Sequence, residues 1–252
     1  MEQFGDYAYY YNSFYKDKDY ASEARDVDSL LKKYGKDIQD IIIFGCGTGS
    51  HDAELSHMGY QCHGIDISST MIDEARKNSE ALNLGVTYEV ADIREYNSDK
   101  KYDAVISLFH VMSYQTSNDD IKKAFSSARA ALNPGGLFVF DAWYGPGVLT
   151  DPPAVRIKEV EDDENRLIRL CRPEIDDVTN TVDVNYEILV INKNDSSTKT
   201  INETHHMRYF FCPEVKEYLK QAGFEMLEVL DCNTLGKTSF DSWTSYFVAV
   251  AE

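Results

Sequence analysis

Between residues 41 and 142, apolar runs alternate with helix-patterned segments, and that alternation restricts the fold more than any other feature of the chain. Ile41-Ile42-Ile43-Phe44 is β-branched and aromatic without a polar position, which suits a strand covered on both faces, and it stops at Gly45. Residues 50–58 carry a helical pattern closed by Gly59, and residues 60–65 read as a second strand. A helix over 69–84 follows, with Ser68 or Ser69 as its cap and Met71, Ile72, Ala75 and Leu82 on its apolar side. Residues 86–90, 102–108 and 137–142 continue as strands, with a helix over 119–132 and Asn133-Pro134-Gly135-Gly136 as a turn. Strands separated by helices need crossovers, so the expected class is α/β with an open, doubly wound, mostly parallel sheet.

After Trp143 the period changes. Pro146, Pro152 and Pro153 punctuate a loop, and residues 155–160, 167–171, 178–191 and 199–209 alternate with period two between polar turns. This pattern predicts an antiparallel β layer inserted at 152–210. A helix over 213–222, stopped by Gly223, and two strands at 224–230 and 243–251 complete the chain. One domain with such an insertion accounts for 252 residues.

Charge narrows the function. Asp and Glu number 43 against 25 Lys and Arg, a net charge of −18, which argues against nucleic acid as a partner because phosphate binding draws on a Lys/Arg surface. No run approaches the ~20 apolar residues of a membrane span, and the polar, tyrosine-rich N-terminus lacks the regions of a signal peptide, so a cytoplasmic location is expected. Cys46, Cys62, Cys171, Cys212 and Cys232 are never spaced as CxxC, so neither a disulfide framework nor a metal site is expected.

Gly45-Cys46-Gly47-Thr48-Gly49 joins the first strand to its helix, where glycines permit positive φ and the helix start offers free amides. Ser50 stands where the dinucleotide fingerprint GxGxxG requires its third glycine, which disfavours a nicotinamide oxidoreductase, and the P-loop pattern is absent. Asp66, at the end of the second strand, is placed to accept from both hydroxyls of a ribose. Asp92, at the end of the third, can accept from an exocyclic amine while Ile93 presents a backbone amide. Three strand ends thus offer a cradle, a sugar clamp and a base reader.

In these motifs the chain resembles the class I S-adenosylmethionine-dependent methyltransferases. The resemblance implies a seven-stranded sheet with its last strand antiparallel and S-adenosylmethionine as cofactor. It assigns the glycine turn (Gly45, Gly47, Gly49) to the methionine part, Asp66 to the ribose, and Asp92 with Ile93 to adenine, with Cys46, Ile67, Met71, Leu108 and Phe109 completing the cofactor set. The acidic residue that the family often places two positions before the first glycine is Ile43 here, so backbone carbonyls near Gly45 or His110 are expected to receive the methionine amino group. Asn133-Pro134-Gly135-Gly136 resembles a further family signature.

A narrower resemblance covers both ends of the chain. The tyrosine-rich segment 7–20, with Asn12 where aspartate is common, is similar to small-molecule methyltransferases that include the N,N-dimethyltransferases of nucleotide-linked amino sugars. So are 109–114, 141–149 and 203–209. This likeness implies a helical lid over 1–35, a cofactor core over 36–148, a substrate layer over 152–210 and closing elements over 211–252. Tyr7 and Tyr15 are expected at the cofactor, and Tyr10, Tyr114, Trp143, Tyr144, Arg156 and Arg208 at a small acceptor, a sugar or nucleotide-linked sugar methylated at oxygen or nitrogen.

Methyl transfer to a hydroxyl benefits from a general base. His110, at the end of the fourth strand, is the first candidate and His205 the second, with Tyr15 as a further reactive-site residue. His205 and His206 are adjacent on a strand, so they point to opposite faces, and His206 is expected in solvent. Arg156, Lys158, Arg166, Arg169, Arg172 and Arg208 could hold an anionic group, against ordinary ion pairs with Glu159, Glu161, Asp162 and Asp163. The alternative function is a non-catalytic S-adenosylmethionine-binding regulator, and monomer and homodimer both stay open.

Overall fold

A computed structural model describes residues 8–252. Helices α1 (Ala8–Tyr15) and α2 (Tyr20–Tyr34) precede β1 (Asp40–Phe44), α3 (Ser50–His57), β2 (Gln61–Asp66), α4 (Ser69–Ala81) and β3 (Thr87–Val90). Then come β4 (Tyr102–Ser107), a 3-10 turn (Val111–Tyr114), α5 (Asn118–Ala131), β5 (Leu132–Tyr144) and α6 (Gly145–Thr150). Four long strands, β6 (Arg156–Glu161), β7 (Asn165–Asp176), β8 (Thr181–Asn192) and β9 (Thr198–Phe210), are followed by α7 (Cys212–Gln221), β10 (Phe224–Asp231) and β11 (Thr244–Ala251).

The main sheet runs β3-β2-β1-β4-β5-β11-β10. Its pairs are parallel except where β11 lies antiparallel between β5 and β10, so the expected seven strands and reversed last strand are present. Alternation along β1 explains its apolar run: Ile41 and Ile43 pack with Val27, Leu31, Leu55 and Ile72 beneath α2, α3 and α4. Ile42 and Phe44 pack with Phe125, Ala128, Val215 and Leu219 beneath α5 and α7. A strand buried on both faces leaves no position for a polar side chain.

Strands β6 to β9 form an antiparallel meander joined to the main sheet at one corner, where Trp143 and Tyr144 of β5 pair in parallel with Tyr209 and Phe210 of β9. Helix α1 docks on this layer through Phe14, which is fully buried against Val160, Leu167 and Ile188. Among the described residues no helix is long and apolar enough to cross a membrane.

Two local expectations change. The segment after Trp143 is not all loop: residues 145–150 form α6, because Pro146 sits in the first turn, where its missing N–H removes no helical bond. Strand β5 begins at Leu132 and carries the expected 133–136 turn within it as an irregularity, with Gly135 at φ 76°. Gly147 of α6 passes so close to the chain at Ser242 and Trp243 that a methyl group there would overlap the Ser242 carbonyl oxygen.

One core position breaks the apolar pattern. Asp52, in the first turn of α3, is fully buried with no hydrogen-bond partner for either carboxylate oxygen, and burial pushes its pKa up to about 8. An acid held protonated to that pH in the native chain, against its ordinary 3.8, gives up its proton on unfolding anywhere between the two values, so stability falls as pH rises across that window. Asp52→Asn is therefore expected to stabilise the protein, by a margin that grows from pH 5 to pH 8 in denaturant titrations; a margin that stays flat or shrinks would contradict a protonated Asp52. Gly147→Ala is expected to lower Tm by about 2–12 °C in calorimetry, from overpacking of about 1–3 kcal/mol at about 2–4 °C per kcal/mol. An unchanged Tm would mean that the 242–243 backbone yields freely.

Candidate active site

The carboxyl ends of β1, β2, β3 and β4 open into a cavity of about 230 Å3, at the point between β1 and β4 where the strand order reverses. The turn from β1 to α3 forms its floor. Gly47 holds φ 56° with nothing within 4 Å of where a Cβ would stand, so the backbone is bare toward the cavity. Gly45, Cys46 and Thr48 line it alongside.

Asp66, where β2 ends, is held by two amides: Gly47 N–H donates to Oδ2 at 3.0 Å and Ser68 N–H to Oδ1 at 2.9 Å. Burial raises its pKa, and those amides work against the rise. Each oxygen keeps a lone pair for a hydroxyl, since a carboxylate offers about four acceptor sites. Ile67 and Met71 line the cavity beside it.

Asp92 and Ile93 line the opposite end, but Asp92 has a partner that the sequence reading did not anticipate. Arg94 reaches back with Nε 2.9 Å from Oδ1 and 3.0 Å from Oδ2, and this pairing holds the Asp92 pKa below its ordinary value. Arg94, which lines the cavity beside it, continues to Asp120 of α5 at 3.3 Å, so the carboxylate is anchored.

The end of β4 carries backbone strain. Phe109 and His110 stand at φ 62° and 67°, a region that non-glycine residues rarely occupy and that gathers at functional sites. Asp141 of β5 holds both: the Phe109 N–H donates to Oδ2 at 3.1 Å and the His110 N–H to Oδ1 at 2.7 Å. His110 Nδ1 lies 3.3 Å from the same carboxylate, and Leu108, Phe109 and His110 all line the cavity.

Two other parts of the chain close the space. Helix α1 contributes Tyr11 and Tyr15, whose rings pack 4.7 Å apart, with Tyr15 edge-on to Phe109 at 5.1 Å. Thr48 donates to Asn12 Oδ1 at 2.9 Å, tying α1 to the glycine turn. Helix α2 is latched by Glu23, which meets His51 Nε2 at 2.6 Å and pairs with Lys18; burial would raise this acid, but His51 and Lys18 bring it down to about 2. The far wall is the inserted layer, with Val184, Tyr186, His205 and Met207, joined by Tyr114 and Trp143.

Most expected residues converge here, and some do not. Tyr10 packs with Phe14 in the layer's core, and Tyr144 turns its hydroxyl toward Thr238 and Cys212. Arg156 is exposed on strand β6. Arg208 is buried in a structural knot, with Nη2 2.7 Å from Glu214 and Nη1 donating to Asn118 at 2.8 Å. The anion cradle expected of the basic run is not assembled: Arg166 pairs with Glu159, Arg172 with Glu187, and Arg169 lies between the rings of Phe14 and Tyr186. Tyr7 lies outside the described residues. His206 is on the outer face, 2.6 Å from Asp183. Tyr11, Tyr20, Tyr186 and Met207 were given no role; Tyr11 and Tyr20 lie in the tyrosine-rich segment 7–20, a period-two count from His205 reaches Met207, and nothing in the sequence singled out Tyr186.

The residues present suit S-adenosylmethionine: a bare glycine turn for the methionine backbone, a carboxylate with spare lone pairs for a diol, and a pocket end at Asp92 and Ile93 for the base.

Residues 41–136 match the family model described as a methyltransferase domain. The chain is 29% identical over 148 residues to the dTDP-3-amino-3,4,6-trideoxy-alpha-D-glucopyranose N,N-dimethyltransferase of Streptomyces venezuelae, covering 58% of this chain and 61% of that one. With the dTDP-3-amino-3,6-dideoxy-alpha-D-glucopyranose N,N-dimethyltransferase of Streptomyces fradiae it shares 22% identity over 211 residues, 84% of this chain and 80% of the relative. A solved sugar N-methyltransferase of a Streptoalloteichus species matches the fold with a TM-score of 0.83 at 22% identity, over 100% of this chain and 97% of its own. The family match spans β1 through β4, the stretch that builds the cofactor side of the cavity, and in that stretch the chain is similar to methyltransferase domains.

Proposed function

We propose that the protein methylates an amino group of a nucleotide-linked sugar. The observation that carries this reading is a cavity with two unlike walls, cofactor-type strand ends on one side and an aromatic, histidine-bearing β layer on the other. The sequence relatives support the acceptor class, since both are N,N-dimethyltransferases of dTDP-linked amino sugars. A hydroxyl acceptor is the second reading, favoured by the contact between Tyr114 and His205 at 2.6 Å, because a hydroxyl gains more from a base than an amine does.

S-adenosylmethionine, when bound, supplies a methyl group on a sulfonium for in-line displacement. The chain's task is to align and to exclude water, and alignment alone can supply ~7–11 kcal/mol of the barrier. The glycine turn, Asp66, Asp92 and Ile93 would hold the cofactor, with Cys46, Ile67, Met71, Leu108 and Phe109 packed around it. The rings of Tyr11, Tyr15 and Phe109 cover one side, and Trp143 bounds the acceptor end beside His110 at 6.3 Å between ring centres. Support for the nucleotide portion comes from the relatives, because Arg156 and Arg208 stand away from the cavity.

Titration calorimetry with S-adenosylhomocysteine separates the two halves of the proposal. The parent is expected to bind and Asp66→Ala to bind at least about 10-fold more weakly, since a charge-assisted hydrogen bond contributes about 1.5–3 kcal/mol. No binding by the parent would sink the methyl-transfer reading, and equal affinity would remove Asp66 from the ribose. Mass spectrometry of a dTDP-linked 3-amino-3,6-dideoxyglucose incubated with cofactor is expected to show one or two added methyl groups; turnover only on hydroxyl acceptors would transfer the assignment to oxygen.

A further inference from the structure

We propose that the acceptor's proton passes through Tyr114 to His205, whose imidazolium Glu203 holds, with Tyr114 as the group that touches the acceptor, an inference that rests on the methyl-transfer reading above. Tyr114, at the end of the 3-10 turn, and His205, on β9, come from different elements and meet with Oη 2.6 Å from Nδ1. His205 Nε2 lies 3.0 Å from Glu203 Oε1, two residues back on the same face of β9. Tyr114 and His205 line the cavity, and His205 is only 3% exposed.

The geometry sets the tautomer. The Tyr114 phenol is the donor in its contact with Nδ1, so Nδ1 accepts and the ring carries its proton on Nε2, which lies at ion-pair distance from Glu203. Burial raises the Tyr114 phenol well above its ordinary value, so it stays protonated and relays rather than acts as the base. Other groups face the pair. Tyr186 of β8 lies 5.1 Å from the His205 ring, and Tyr15 of α1 is bonded to Arg169 of β7. The charges of Glu203 and Asp66 act on the Tyr114 phenol, and Arg169 lies over the Tyr186 ring.

The step balances with one proton. An aliphatic amine is protonated at neutral pH and has no lone pair to offer, and each methylation leaves the nitrogen protonated again. The N–H proton passes to Tyr114 Oη as the Tyr114 proton passes to Nδ1, leaving a neutral amine, an unchanged tyrosine and an imidazolium held by Glu203. Before a second methylation the imidazolium gives its proton to solvent, which returns His205 to its neutral form and lets the same chain restore the lone pair of the secondary amine. In this scheme Glu203 is a positioning residue.

The first test needs no turnover: nitrogen-15 NMR of the free protein is expected to show His205 as the Nε2–H tautomer, and an Nδ1–H tautomer would overturn the proposal. Tyr114→Phe and His205→Gln are each expected to lower kcat on the dTDP-linked amino sugar by about 100-fold. Their S-adenosylhomocysteine affinity should stay within about twofold of the parent, which separates a lost relay from a failed cofactor site. In Glu203→Gln, loss of the carboxylate disfavours imidazolium, so the acidic limb of the kcat/KM profile is expected at lower pH. Parental kcat in both Tyr114→Phe and His205→Gln, or an acidic limb that disappears only in His110→Ala, would overturn the proposal.

Discussion

Two residue pairs carry the architecture of the acceptor side. Trp143 with Tyr209 and Tyr144 with Phe210 are the parallel pairs that join the inserted layer to the main sheet. Strand β5 supports this because it is 13 residues long and already paired with β4 on one edge and β11 on the other. Its last two residues extend beyond the crowded part of the sheet, and β9 takes up their hydrogen bonds. From that corner the layer projects over the strand ends, which is why His205 and Met207, a few residues before the junction, face the cavity. The knot of Arg208 with Glu214 and Asn118 braces the same corner from the opposite face of β9.

The cofactor side depends on carboxylates used in different ways. Asp141 and Asp66 accept backbone amides, so they shape the turns around them as well as lining or bounding the site. Asp92 is held by Arg94. Asp52, beneath the turn, is buried without a partner, and its carboxyl lies where a Cβ on Gly64 would stand. A glycine on β2 thus makes room for an acid on α3, a pairing that opposes apolar packing and holds the acid in its neutral form.

The chain's own patterns reveal the sheet domain because its determinants are local. An apolar run ending in glycines, and carboxylates at strand ends, mark the sheet and the cofactor side without knowledge of packing. The acceptor side is harder to read because strand alternation tells which residues share a face but not which face is covered. Arg208 and Met207 are neighbours on β9, yet one enters a buried ion pair and the other the cavity. Tyr10 and Tyr11 differ in the same way on α1, a short helix with tyrosines around most of its circumference. Strain at Phe109 has no sequence signal, since phenylalanine does not favour left-handed backbone, whereas His110 is of a type that enters that region more readily.

Helix α1 is fastened at both of its sides. Asn12 bonds the glycine turn, and two residues later Phe14 is buried in the layer, where Lys158 also donates to its carbonyl. A rigid element with one contact in each half of a site gives the two halves a shared opening free energy. Whatever lifts the helix from the glycine turn also disturbs its seat in the layer, so the two halves of the site share the cost of moving it.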